Sequence, residues 1–227
     1  MALGWAIWAA PRWLIPVIAA RSPRCVFEIA TEHRAVALTL DDGPDGEHTP
    51  EILRVLREDG AHATFFMISE HVAGCEEIVS SVVAAGHEIG NHLTRDESSI
   101  RLAPAAFAAA LREAGRVLER FGPVRWLRPG SARYSASMLA TIEQAGYRCA
   151  LGSIYPYDVY VPLVRFASAY ILAAVRPGAV IVLHERGSRG LRSVATLRRV
   201  LPALRQRGYR VLSLSELDRL RLTPPQA

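Results

Sequence analysis

Two adjacent carboxylates, Asp41 and Asp42, stand in the run Leu38-Thr39-Leu40-Asp41-Asp42-Gly43-Pro44. They directly follow an apolar segment, and Gly43-Pro44 imposes an abrupt turn after them. Two acids at such a point can point in different directions, one to a metal and one to a substrate. The plainer reading is a solvated Asp-Gly-Pro turn, and the motif alone leaves both open. A second cluster is Gly86-His87-Glu88-Ile89-Gly90-Asn91-His92, continuing to Leu93-Thr94-Arg95-Asp96. His92 and Asp96 are four apart, so on a helical turn they would share a face and could grip one ion. Arg128 closes Trp126-Leu127-Arg128 before Pro129-Gly130-Ser131, and His184 closes Val180-Ile181-Val182-Leu183-His184. A histidine at the end of an apolar run, not in its middle, points away from core filling and toward function.

The elements that must position these residues alternate along the chain. Strands are expected at 35–40, 63–68, 88–91, 124–128, 148–152, 179–184 and 209–213, with helices at 50–58, 76–85, 104–120, 137–145, 165–175 and 194–207. Thr49 before Pro50 predicts an N-cap with proline at the first helical position. Gly60, Gly86, Gly146 and Gly208 stand where left-handed residues end helices. Strands alternating with helices imply parallel βαβ units. Seven such units fit a closed or nearly closed barrel in one domain better than two domains. In a barrel of this kind the C-terminal strand ends form the active face. Asp41, Asp42, His92, Arg128 and His184 all fall at or just after such ends. That shared placement predicts one mouth holding a metal, a carboxylate base, an arginine and an imidazole, an inventory suited to metal-assisted hydrolysis.

The bulk properties exclude more than they assign. The chain has 227 residues, half of them hydrophobic and 22% charged, which is ordinary for a globular protein. All 27 basic residues are arginine and the net charge is +5. The arginines are interleaved with glutamates along helical patterns, which reads as a solvated face, so no nucleic-acid partner is expected. Cys25, Cys75 and Cys149 form neither a CxxC zinc pattern nor a paired disulfide framework, and are expected to be buried free thiols. The apolar segment 1–30 is interrupted by Pro11 and Arg12 and lacks a basic leading region, so it fits neither a cleaved signal peptide nor a span. Packing on the domain of residues 31–220, or lying at a membrane interface, are the two readings left for it.

The order TLDDGP, then GHEIGNH with a ligand type four residues on, then an Arg-Pro turn, then a strand ending in Leu-His, resembles the NodB-like polysaccharide deacetylases of carbohydrate esterase family 4. The likeness extends over about residues 35–217 and includes Ala63-Thr64-Phe65-Phe66. It implies a distorted (β/α)7 barrel and removal of N-acetyl groups from an N-acetylated glycan. Asp41 would be the general base, Asp42, His92 and Asp96 the metal ligands, and Arg128 the partner that orients Asp41. His184 would be the general acid, with Asp158 tuning it. Val182 and Leu183 would shape the acetyl pocket, Ser131 would offer a backbone N–H to the oxyanion, and Tyr134 would supply an aromatic wall.

Three departures from the family pattern accompany the likeness. Asp96 stands where a second histidine is usual, Gly130-Ser131 where a proline and an aromatic are usual, and Glu185 where an aspartate is usual. The resemblance implies Zn²⁺, while two carboxylates with one imidazole also admit Mn²⁺, Fe²⁺ or Co²⁺. Hydrolysis of a non-sugar amide, or a degenerate carbohydrate-binding homologue without turnover, are the alternatives. The family also weights the expectation toward a cell-envelope or membrane-associated setting; the missing leading region counts against it and leaves a cytoplasmic one open.

Overall fold

The computed structural model describes residues 14–222. Residues 1–13, which carry three of the four tryptophans of the chain, lie outside that range. All seven expected strands are present: β2 (Ala35–Gly43), β3 (Thr64–Met67), β4 (Glu88–Asn91), β5 (Trp126–Leu127), β6 (Arg148–Ala150), β7 (Val180–His184) and β8 (Arg210–Leu212). An eighth, β1 (Cys25–Val26), pairs parallel to β6 at Cys25↔Cys149 and was not anticipated, because two residues carry no periodicity. Every ladder is parallel, in the order β1-β6-β5-β4-β3-β2-β7, with β8 also on β2.

The sheet closes on itself. Beyond β6 the chain reaches Ile154, which bridges Ile181 of β7, and the Val182 N–H donates to the Ile154 carbonyl at 3.0 Å. The barrel is distorted because β8 does not sit between β7 and β2. It pairs with the start of β2 on the β3 side, where the His62 N–H donates to the Val211 carbonyl at 3.0 Å.

The helices are α1 (Leu14–Arg21), α2 (His48–Asp59), α3 (Glu76–Ala84), α4 (Pro104–Leu118), α5 (Ala136–Gln144), α6 (Val164–Ala174), α7 (Gly187–Gln206) and the single-turn α8 (Leu214–Asp218). Gly60, Gly86, Gly146 and Gly208 all take φ between +62° and +83°, as their places after helices require. The expected Thr49 cap is corrected. Helix α2 begins at His48, and Asp45 Oδ1 accepts from the Glu47 and His48 N–H groups at 3.0 and 2.9 Å. Thr49 turns inward instead and donates to Glu185. Helix α7 begins seven residues earlier than the periodicity placed it. Its first turns, Gly187-Ser188-Arg189-Gly190, carry no apolar stripe and so gave no signal.

The largest core cluster fills the space between β2, β3 and β7 on one side and α2, α6 and α7 on the other, with Leu38, Leu40, Ile52, Leu56, Leu183, Leu197 and Leu204 fully buried. The start of α7 is pressed against the end of β7. A Cβ on Gly190 would stand 2.2 Å from the Glu185 carbonyl oxygen and 2.8 Å from His48 Cβ. Backbone cannot yield as a side chain can, so Gly190→Ala is expected to destabilise the fold by about 1–3 kcal/mol. A thermal midpoint within a degree of the parent's would contradict this packing.

Candidate active site

Strand alternation alone would place Asp41 and Asp42 on opposite faces of β2. A bulge prevents that. The β2–β3 register shifts between Asp41 and Gly43, and Asp42 takes φ +74° inside the irregularity. Both carboxylates consequently open into one cavity of about 840 Å³ at the strand ends, lined also by His92, Arg128, Val182 and His184. Among the described residues, all five non-glycine residues with positive φ lie in segments at this end of the barrel: Asp42, Leu93, Ser131, Ala132 and Tyr157. Left-handed backbone at non-glycine residues is costly and concentrates where function over-determines the geometry.

The base of the cavity is organised by Arg128, 1% exposed. Its Nη1 donates to Asp41 Oδ1 at 2.6 Å and to Thr39 Oγ1 at 2.8 Å. Its Nε and Nη2 donate to the carbonyls of Ala150 and Leu151, and its guanidinium lies 4.2 Å from the centre of the Phe66 ring. That ring occupies the room left by Gly90, whose Cβ would come within 2.6 Å of it. Thr39 shares the inward face with Asp41, two residues on, a periodicity legible in the sequence but not used there.

Each histidine is held at Nδ1. His92 donates from Nδ1 to the Arg128 carbonyl at 2.7 Å, leaving Nε2 3.5 Å from Asp42 Oδ1. His184 Nδ1 donates to Asp158 Oδ2 at 2.8 Å, and the His184 N–H donates to the same oxygen at 3.2 Å. Burial alone would lower the His184 pKa. The Asp158 charge and hydrogen bond, with Asp41 and Asp42 behind them, outweigh it and raise it. Asp42 moves the other way. Desolvation would raise it, but His92, His184 and Arg189 hold it well below the usual carboxylate range.

Other expected residues are placed differently. His92 and Asp96 do not lie on a helical turn, because Leu93 at φ +67° sends the chain into an open loop. Asp96 still lines the cavity, but it is exposed and its Oδ2 lies 3.8 Å from Arg189. Among the described residues no three His, Cys, Asp or Glu side chains are gathered closely enough to hold an ion. Ser131 lines the cavity at φ +60°. Tyr134 does not line it. Its hydroxyl donates to Ser22 Oγ at 2.7 Å within a satellite core cluster, burial pushes its pKa up to about 12, and Tyr157 and Tyr160 supply the aromatic lining instead. Val182 faces the cavity, whereas Leu183, its strand neighbour, points into the helix-facing core by simple alternation.

Two residues to which the sequence assigned no role also shape the site. Arg189, in the first turn of α7, sets Nη1 3.1 Å from Asp42 Oδ2; nothing marked it among so many arginines. Glu185 is fully buried, with the Thr49 hydroxyl on Oε2 at 3.2 Å and no hydrogen-bond partner for Oε1. Burial pushes its carboxyl well above the usual range. It fills the space over Gly43, where a Cβ would fall 1.2 Å from Oε1.

Arg128→Met leaves Asp41 buried without its cation and is expected to cost about 3–5 kcal/mol in urea denaturation. Asp41→Asn keeps an oxygen for the guanidinium and should cost clearly less. Equal losses would mean the pair does not hold this end of the barrel.

A family profile described as polysaccharide deacetylase matches residues 28–150. A peptidoglycan-N-acetylglucosamine deacetylase of Bacillus cereus is 31% identical over 196 residues, covering 85% of this chain and 92% of the relative. A chitooligosaccharide deacetylase of Bradyrhizobium is 33% identical over 198 residues, covering 81% and 90%. Among solved structures, a peptidoglycan N-acetylglucosamine deacetylase bound to an N-oxidanyl-benzamide superposes with TM-score 0.83 at 25% identity, covering 88% and 95%. A family 4 acetyl xylan esterase of Clostridium thermocellum, in complex with a cobalt ion, gives 0.76 at 26% identity, covering 82% and 91%.

Proposed function

The chain belongs to the polysaccharide deacetylase family, and we propose that it hydrolyses the acetamide of an N-acetylated sugar, polymeric or short. The observation that carries the reading is the joint arrangement of Asp41 on Arg128 and His184 on Asp158 across one cavity. It supplies a fixed base and a fixed acid facing one space, which amide hydrolysis needs because an amine leaves only when protonated.

Asp41 takes the proton of the attacking water. Arg128 holds one Asp41 oxygen, so the carboxylate cannot rotate away from its task. His184, locked at Nδ1 by Asp158, presents Nε2 and delivers a proton to the departing nitrogen. The Asp158 charge and hydrogen bond favour the protonated imidazole against its burial. Val182, which lines the cavity, is the residue assigned to receive the acetyl methyl. The Ser131 N–H, in the left-handed turn after Arg128, is the backbone donor assigned to the developing oxyanion.

The family implies a divalent ion, and two donors here fit one. Asp42 Oδ1 and His92 Nε2 are 3.5 Å apart, long for a hydrogen bond but close to the spacing of two donors on one tetrahedral ion with bonds of about 2.0–2.1 Å. Asp42 Oδ2 is buried and has no well-directed hydrogen bond, only the Arg189 guanidinium at 3.1 Å. Asp96 would be the third donor, reached across Arg189, with Zn²⁺ the expected ion and Co²⁺, Mn²⁺ or Fe²⁺ admitted by the oxygen-rich set. Such an ion polarises the carbonyl and acidifies water when bound. A second reading, a carbohydrate-binding homologue without turnover, is favoured by the Arg189 guanidinium resting on Asp42.

Acetate release from chitin oligomers, with bound metal measured in parallel, separates the readings. Asp41→Asn is expected to abolish release with metal retained, and Asp42→Ala to lose both. No release from the metal-saturated parent protein selects the binding reading, and full activity in Asp41→Asn overturns the mechanism. The Asp158 carboxylate favours protonated His184, so Asp158→Asn lowers the histidine's pKa. The alkaline limb of the pH–rate profile should therefore move to lower pH, with reduced kcat. An unmoved limb would remove Asp158 from the tuning role.

A further inference from the structure

Seven large hydrophobic residues among those described are exposed, and five of them lie in segments that leave the C-terminal strand ends, with Tyr160 also lining the cavity. Ile100 lies in the turn that follows β4, and Tyr160, Leu163 and Phe166 lie between β6 and the first turn of α6. Leu191 lies near the start of α7. All five belong to segments leaving the C-terminal strand ends, so the topology brings them to one end of the barrel. Tyr160, Leu163 and Leu191 are each at least 60% exposed. Arg192 of α7 donates to the Asp158 carbonyl at 3.2 Å, joining the segments after β6 and β7, and within the former Tyr157 packs edge-on against Tyr170 at 5.4 Å. Exposed apolar residues scattered singly need no explanation, whereas several gathered at the end of the barrel that holds the cavity do.

The charges between them are mostly of one sign. Arg101 follows Ile100, Arg165 lies between Leu163 and Phe166, and Arg133 lines the cavity. Arg101, Arg133 and Arg165 have no acidic partner among the described residues, and residues 159–166 contain no acid. Asp96 and Glu97 are the acids of the β4 segment, and Asp96 faces Arg189. Aliphatic and aromatic side chains interleaved with unpaired guanidiniums match an interface of acyl chains beneath anionic headgroups. No described helix is long and apolar enough to cross a membrane, so the contact would be peripheral.

We propose that this face docks on a membrane surface bearing anionic lipid headgroups, with the cavity opening toward that surface. Lipid docking stands on these exposed residues alone. That an N-acetylated sugar is met there rests on the function proposed above.

The test is flotation of the full 227-residue chain with vesicles of phosphatidylcholine alone and of phosphatidylcholine mixed with phosphatidylglycerol. Binding is expected to the mixed vesicles, weakened by salt. Leu163→Ser/Leu191→Ser should lower partitioning at least about tenfold, and Arg165→Glu several-fold on anionic vesicles only. Both variants alter exposed side chains, so thermal midpoint and acetate release from soluble chitin oligomers should stay at parent values. A failure of docking is thereby distinguished from a failure of the proposed reaction. Absence of vesicle binding, equal binding to neutral and anionic vesicles, or parent-like partitioning of both variants would each overturn the proposal. So would retention on a soluble anionic oligosaccharide without retention on vesicles.

Discussion

The working end of this barrel depends on one buried guanidinium. Arg128 joins β2 through Thr39 and Asp41 to the end of β6 through the carbonyls of Ala150 and Leu151. Its own carbonyl fixes the tautomer of His92. A cation so deeply enclosed requires every N–H to find an oxygen, and each partner it recruits becomes part of the site. The Asp41 carboxylate, the imidazole facing Asp42 and the closure between two strands thus share one support. The Phe66 ring beneath the guanidinium, and the glycine that makes room for the ring, extend that support into the core.

Around this centre the chain concentrates its unfavourable backbone. Five non-glycine residues adopt left-handed conformations in the segments at the mouth. The regular parts of the barrel carry their ordinary helix-ending glycines. The division is physical: continuous ladders and the large core cluster tolerate little distortion, whereas the strand ends can absorb it when hydrogen bonds such as Asn91 Oδ1 to the Leu93 N–H compensate. Asp42 is the clearest case, since its inverted φ is what turns the second carboxylate of the pair toward the first.

Most of the architecture was legible because apolar runs and helix-ending glycines carry strong local signals. The seven strands and the placing of Asp41, Asp42, His92, Arg128 and His184 at one mouth followed from that alone. What escaped was set by geometry beyond the local pattern. Helix α7 starts early on residues without an apolar stripe, and β1 is too short to show a period. Thr49 was misread because a Thr-Pro pair looks like a cap wherever it stands, and Asp45 took the role. The His92–Asp96 spacing presumed a helix that Leu93 prevents. Alternation would have excluded Leu183 from the pocket. Tyr134 and Arg189 depend on tertiary neighbours, Ser22 and Asp42, that no local pattern predicts.

Glu185 and Gly43 have a consequence for how this sequence can vary. The Glu185 side chain occupies the volume that any Cβ at position 43 would need, and its unpaired oxygen lies closest to that point. The two positions are distant in sequence yet form one steric unit. A side chain at 43 becomes admissible only once the acid at 185 is shortened or turned out. Covariation between these positions, glycine accompanying the longer acid, is therefore what close relatives of this branch should display.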